Sequence, residues 1–458
     1  MNAERSTQQL KPLFSKLPSI RWLVPLVCLP LLAFVIYVGW LGSRDYQASR
    51  ELEALIAPIR AAGEPLGDAW LEQHFRQTTS SEGTAAWSEI SMLSTSIGWS
   101  AINELPIVGN GKTLRTLEAG AKWEADALVD DFLEQARPLF GLLYDAAKYQ
   151  MPVWQPMEFH GIETLLPELQ DSRQIQRLLQ LDFEHAIVHS DTERALRDLQ
   201  AMLTTADAYD WNMFLVGQLV NIALHGLHHQ SIQRSLYADV WSAEQLEQLM
   251  AQVRQPLPLE KSWNATIESE KVMSLSAVSG SRSLPGEVEL ALSAESKLAL
   301  LRMYAEIQAL AATPVGQLTR KAAELEENWQ HRSPVLGRDI LASMLIPAVA
   351  GYANAFERSE RSRRMVFTAL GVKRFQLANS RWPKQLQELS QVGLSPEDWT
   401  LPGIGPLGYA IEPDGKTACV WAIGEKDRME GGYVVPSQCP DYAEGELEKV
   451  QYYLTLIR

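Results

Sequence analysis

Apolar residues along the chain recur mainly with a helical period. Stripes of this kind fill 125–149, 172–188, 193–203 and 211–229, and the period returns at 291–313, 317–330 and 336–379. Side chains three and four apart share one helix face, so these stretches predict amphipathic helices that bury one side. Asp171 and Asp191 are placed as N-caps. Ser242 opens SAEQLEQLM with Gln245 three residues on, which is the spacing of a capping box. Short connections predict antiparallel neighbours in a bundle or helical-pair array. Upstream, 43–75 reads as a helix interrupted at Pro58 and AGEP (62–65), and Trp87, Ile90, Leu93, Ile97 and Ile102 mark a short amphipathic element. Pro256, Pro258 and the run SLSAVSGSRSLPGE predict a loop over 254–289, and Pro347 a kink or split in the last long helix.

One stretch lacks the alternation of faces. Residues 22–42, WLVPLVCLPLLAFVIYVGWLG, carry no charge. A helix of about 20 residues rises about 30 Å, the thickness of a bilayer's hydrocarbon core. The stretch therefore predicts a transmembrane helix. Arg5, Lys11, Lys16 and Arg21 precede it against Glu4 alone, which places the N-terminus in the cytoplasm and the rest in the periplasm. LGSRD offers no small-x-small cleavage site, so the expectation is an uncleaved signal anchor. The predicted organisation is a basic cytoplasmic tail (1–21), the anchor (22–42), a helical extracytoplasmic domain (43–365) and a small α+β module (366–458). The predicted location is the inner membrane, single-pass, with that membrane as a partner.

After residue 380 the helical pattern stops at Pro383, Pro396, Pro402, Pro406 and Pro413. Tyr409–Ile411 and Ala418–Ile423 read as strands around the turn Pro413-Asp414-Gly415-Lys416. GIGPLG (403–408) has the glycine spacing of a dinucleotide loop but precedes a strand instead of opening a helix. The last element, 446–457, is a short helix or a strand. The predicted fold class is mainly α, with an N-terminal transmembrane helix, a large multi-helical domain and a small C-terminal α+β module.

The segment VKRFQLANSRWPKQLQEL, followed by GPLGYAIEPDGKTACVWAIGEKDRMEGG, resembles the C-terminal module of uncharacterised membrane-anchored bacterial proteins. It also resembles the C-terminal part of type II secretion pseudopilins. The matching residues are Phe375, Leu377, Arg381, Trp382, Pro383, Leu386, Leu389, Gly405, Leu407, Tyr409, Gly424, Asp427, Gly431 and Gly432. The resemblance implies a long helix leading into a small sheet. Asp427 and Glu430 would be the carboxylates of a related calcium loop, but the family's aspartate before the first glycine is missing, so no cofactor is expected. The 22–42 stretch lacks a pseudopilin methylation segment, so pilus assembly is not implied.

Charge and cysteines add limits. The net charge of −15 argues against a nucleic-acid partner. Cys28 lies in the apolar stretch, and Cys419 and Cys439 would be free to pair in an oxidising compartment. The run RSERSRRMVF, with Arg358, Arg361, Arg363 and Arg364, predicts a local salt-bridged face, with contact to anionic lipid as the alternative.

Candidate chemistry is sparse. GNGKT (109–113) precedes a predicted helix, but Pro106 stands where a phosphate-binding loop needs glycine. No GxSxG elbow is present, and the acidic pairs Asp130/Asp131 and Glu326/Glu327 are read as facing water. The histidines are the exception. His185 and His189 are four apart on one helix, and His225 and His229 are four apart on another, beside His228. Two facing helices would bring His185, His189, His225 and His229 together as metal ligands, with Asp182 nearby. Hydrogen-bonded histidines without metal are the plainer expectation. The favoured reading is a non-enzymatic, membrane-anchored periplasmic protein that contacts an envelope partner. The alternative is a metal-dependent or carboxylate-based hydrolase.

Overall fold

The computed structural model describes residues 20–61, 68–97, 103–114, 117–156, 158–159, 166, 168–210, 214–255, 259–278, 294–332, 340–413, 415–422 and 453–457. The chain forms two compact units, Met1–Gly63 with Leu292–Leu298, and Glu64–Ala291 with Ala299–Arg458.

In the first unit α1 (Ile20–Ala61) runs without a break through Pro58. Arg44 pairs with Glu295, and the Asp45 carboxylate accepts the Ala294 N–H at 2.9 Å. The membrane anchor expected over 22–42 is corrected here: among the described residues no helix is long and apolar enough to cross a membrane. The inner-membrane partner, the periplasmic placement and the single-pass topology rested on that anchor and fall with it.

The second unit is a helical array. α2 (Asp68–Thr78) and α3 (Thr84–Ser96) are followed by α4 (Asp126–Ala146), α5 (Glu168–Val188), α6 (Thr192–Ala208), α7 (Leu215–Ser235) and α8 (Ala243–Val253). Two of the three expected caps form; Asp171 instead lies inside α5, past its start at Glu168, and accepts a hydrogen bond from the Ser91 hydroxyl. Asp191 accepts the Arg194 N–H at 3.1 Å at the start of α6. Ser242 and Gln245 exchange side-chain and backbone bonds in a capping box at the start of α8. Each such cap is worth about 1 kcal/mol. α5, α6 and α7 pack on one another, and α4 lies against α3, α5 and α6. The α5 stripe of Ile175, Leu178, Leu179, Phe183, Ala186 and Ile187 is fully buried, and each of its Ile, Leu and Phe side chains contributes about 1.5–3 kcal/mol.

The loop expected over 254–289 contains α9 (Leu259–Val278). Trp263 anchors it, stacked on Tyr352 with ring centroids 5.0 Å apart and donating its indole N–H to the Ile307 carbonyl. Tertiary packing there outweighs the local proline signals. α10 (Ala294–Ala309), α11 (Leu318–Arg332) and the 40-residue α12 (Ile340–Asn379) complete the helices. α12 runs past Pro347 without splitting and packs on α7, α8 and α11.

The arginine run lies on α12 as an ion-paired face. Arg361 pairs with Glu357, and Arg363 and Arg364 both reach Glu360 at 2.7 Å. Arg361 and Arg363 are buried. Lys373, also buried, pairs with Asp239 at 2.5 Å. GNGKT opens no helix: Gly111 donates to the Leu105 carbonyl in a turn, and the next helix begins at Asp126.

The strands expected around 413–416 are present. β1 (Thr400–Leu401) and β2 (Gly405–Pro406) form a two-stranded ladder, and β3 (Gly408–Ile411), β4 (Ala418–Ala422) and β5 (Tyr453–Ile457) form an antiparallel sheet in that order. This sheet rests on α12. Gly408 faces Trp421 across the ladder, where a Cβ would lie 2.1 Å from the indole ring. The fold is thus mainly helical with a small β region. Gly424, Asp427, Glu430, Gly431 and Gly432 lie outside the described residues. So does Cys439. Cys419 is fully buried on β4 and is not a free thiol, and among the described residues no disulfide joins two cysteines.

Candidate metal centre

The first turns of α4 and the last turn of α5 meet at one end of the helical array. Asp126 and Asp130 stand four apart on one face of α4, and His185 lies in the last turn of α5 with His189 one residue past its end, held by its N–H donating to the His185 carbonyl at 3.1 Å. The preceding loop is tied in place where Gly120 donates to the Val188 carbonyl at 2.7 Å. Trp123 from that loop is buried against the His185 ring at 6.0 Å.

The Asp126 Oδ1 atom lies 2.9 Å from His189 Nε2 and 3.2 Å from His185 Nε2. Asp130 Oδ1 is 3.4 Å from His185 Nε2. One ligand atom each from Asp126, His185 and His189 falls within 4.8 Å of the others. A tetrahedral ion with bonds of about 2.0–2.2 Å holds its ligand atoms about 3.3 Å apart, so only small side-chain movements separate this arrangement from coordination. His185 is 3 % exposed, whereas His189 is 45 % exposed. The site is therefore closed on one side and reachable from the other.

His185 Nε2 has no aligned hydrogen-bond partner, although two carboxylates approach it. Burial, with help from Arg194 and His189, pushes the His185 pKa down. The hydrogen bond with His189 lowers that of Asp126. A neutral imidazole and an ionised carboxylate are the forms that bind metal. On its other edge, His185 Nδ1 is 2.9 Å from an Arg194 guanidinium nitrogen. A guanidinium only donates, so Nδ1 accepts and the ring proton sits on Nε2.

The sequence-predicted ligands separate into two groups. His185 and His189 converge, while His225 and His229 lie buried on α7 with ring centroids 6.4 Å apart. His228, beside them, bonds Gln252 at 3.1 Å. Asp126 was not singled out in the sequence, and Asp130 was read as facing water, because acids in a helix's first turns ordinarily complement its dipole in water. Their four-residue spacing, matching that of His185 and His189, was the available signal.

A pocket of about 430 Å³ begins at Asp130 and Arg194, the two residues that flank His185. Its wall includes Tyr144, whose hydroxyl donates to Asp198 at 2.6 Å and lies 3.2 Å from Asp182. Burial, and then the charge of Asp182, raises the Asp198 pKa well above the usual carboxylate range. Asp182 and Asp198 thus form an acidic pair about the Tyr144 hydroxyl. Arg197 lies over the Tyr144 ring at 5.5 Å.

No family model matches the chain, and no curated protein or solved structure matches it. The expectation of a membrane-anchored envelope component is corrected by the absence of a spanning helix among the described residues, and the Asp126/His185/His189 cluster favours the metal-dependent alternative.

Proposed function

We propose that the protein binds a divalent transition metal through Asp126, His185 and His189 and uses it for metal-assisted hydrolysis in the adjoining pocket. The observation that carries this reading is the convergence of one ligand atom each from Asp126, His185 and His189 within 4.8 Å of one another, with the His185 ring buried. Three protein ligands of the His₂-carboxylate kind leave a coordination position for water, as catalytic zinc sites do, whereas structural sites close with four. A bound ion would lower the pKa of that water and supply the nucleophile. Asp130 borders both the site and the pocket and is placed to take the water's proton.

The test is metal stoichiometry on untagged protein. After incubation with Zn²⁺ and gel filtration, wild type retains about one equivalent, and His189→Asn, which removes an exposed ligand, weakens binding by at least about tenfold. Equal retention by wild type and variant, or no retention by either, rejects the centre.

A further inference from the structure

Arg194 occupies the one edge of His185 that the proposed metal needs to change. With Nδ1 accepting from Arg194, the ring proton lies on Nε2, and a protonated nitrogen cannot ligate. Metal capture at Nε2 therefore requires the proton to leave Nε2 and one to be taken up at Nδ1, with no net change on the ring. Nδ1 then donates, and two donors face each other across 2.9 Å. The guanidinium must move. Its Nε atom is 3.8 Å from Asp182 and 3.7 Å from Asp191 and has no aligned hydrogen bond. It lines the pocket already, so its displacement leads there.

We infer that Arg194 links the two sites: a metal at His185 releases the guanidinium into the pocket, where it binds the oxyanion group of an anionic ligand. The inference rests on the metal reading above and specifies its substrate class. Charge supports it. Without metal, Asp130, Glu134 and Asp182 offset Arg137, Arg194 and Arg197 in the pocket wall. A divalent ion outweighs the single carboxylate of Asp126 and turns the balance positive. Arg197, exposed beside Tyr144, supplies a second guanidinium for a doubly held carboxylate or phosphate group. Linkage makes the effect reciprocal: an anion that draws Arg194 off His185 must tighten metal binding by the same factor that metal tightens anion binding.

Cobalt(II) serves as the probe, because its visible absorption reports coordination directly. Titrations of wild type and Arg194→Gln are run without added anion, with sodium sulfate and with sodium acetate at matched ionic strength. Wild type is expected to bind Co²⁺ roughly tenfold more tightly with sulfate or acetate, since a charged hydrogen bond to His185 no longer competes. Preference for sulfate identifies a phosphate-like ligand, and preference for acetate a carboxylate. Arg194→Gln is expected to bind Co²⁺ roughly tenfold more tightly than wild type without anion and to lose the anion effect. Co²⁺ binding that neither anion nor Arg194→Gln alters, or that Arg194→Gln weakens, overturns the linkage while leaving the metal centre standing. Absence of Co²⁺ binding in both proteins overturns the centre itself and the linkage with it.

Discussion

His228 is fully buried on α7, its Nε2 3.1 Å from the Gln252 side-chain oxygen, and burial pushes its pKa down to about 4. In the unfolded chain a histidine titrates near about 6.5. Above that pH both states are neutral. As the pH falls from 6.5 towards 4, the unfolded chain takes up a proton that the folded chain refuses, so stability is lost in that window. Between pH 7 and pH 5 the loss from this one ring is about 2 kcal/mol. The profile of the whole protein mixes it with other groups: His225, also lowered to about 4, loses stability over the same descent, while buried Glu184 and half-exposed Asp207, each raised to about 7, gain it. His228→Gln isolates it by removing the titration while keeping an amide to meet Gln252. Urea unfolding of both proteins at pH 7 and pH 5 gives two stability differences. The variant is expected to gain about 2 kcal/mol on wild type as the pH is lowered. Equal changes in the two proteins would refute the reasoning, since a ring that stays near 6.5 in the fold is hydrated and not dry.

Two further substitutions probe packing and the acidic pair. Gly408→Ala places a methyl group 2.1 Å from the Trp421 ring and is expected to cost about 1–3 kcal/mol, seen as a lowered Tm. An unchanged Tm would mean that β3 and β4 are not in this register. Tyr144→Phe removes the O–H donated to Asp198 at 2.6 Å and is expected to cost about 1–3 kcal/mol in urea unfolding; no loss would show that Asp198 has another donor.

The helical body was legible because helix periodicity and capping are local. Asp191 and the Ser242/Gln245 box needed only their near neighbours, and the β3–β4 hairpin announced itself through Pro413-Asp414-Gly415. α9 was not legible: its hold is Trp263, whose partners Tyr352 and Ile307 are distant in sequence. The candidate metal centre was half legible. Four-residue spacing paired His185 with His189, but the same spacing paired His225 with His229, and nothing local shows that α7 turns the second pair into its own core. Asp126 belongs to the site only because α4 is laid across the end of α5.

The 40-residue α12 also sets the order in which the chain can complete itself. α7 ends at Ser235, and α12, which covers it, begins at Ile340. A ribosome adding about 5–20 residues per second needs on the order of 5–20 s to bridge that interval. Through it, α7 and α8 lack the surface that finally covers them. The nascent chain therefore carries exposed apolar faces late into synthesis, and its dependence on chaperones should be concentrated in the seconds before α12 emerges.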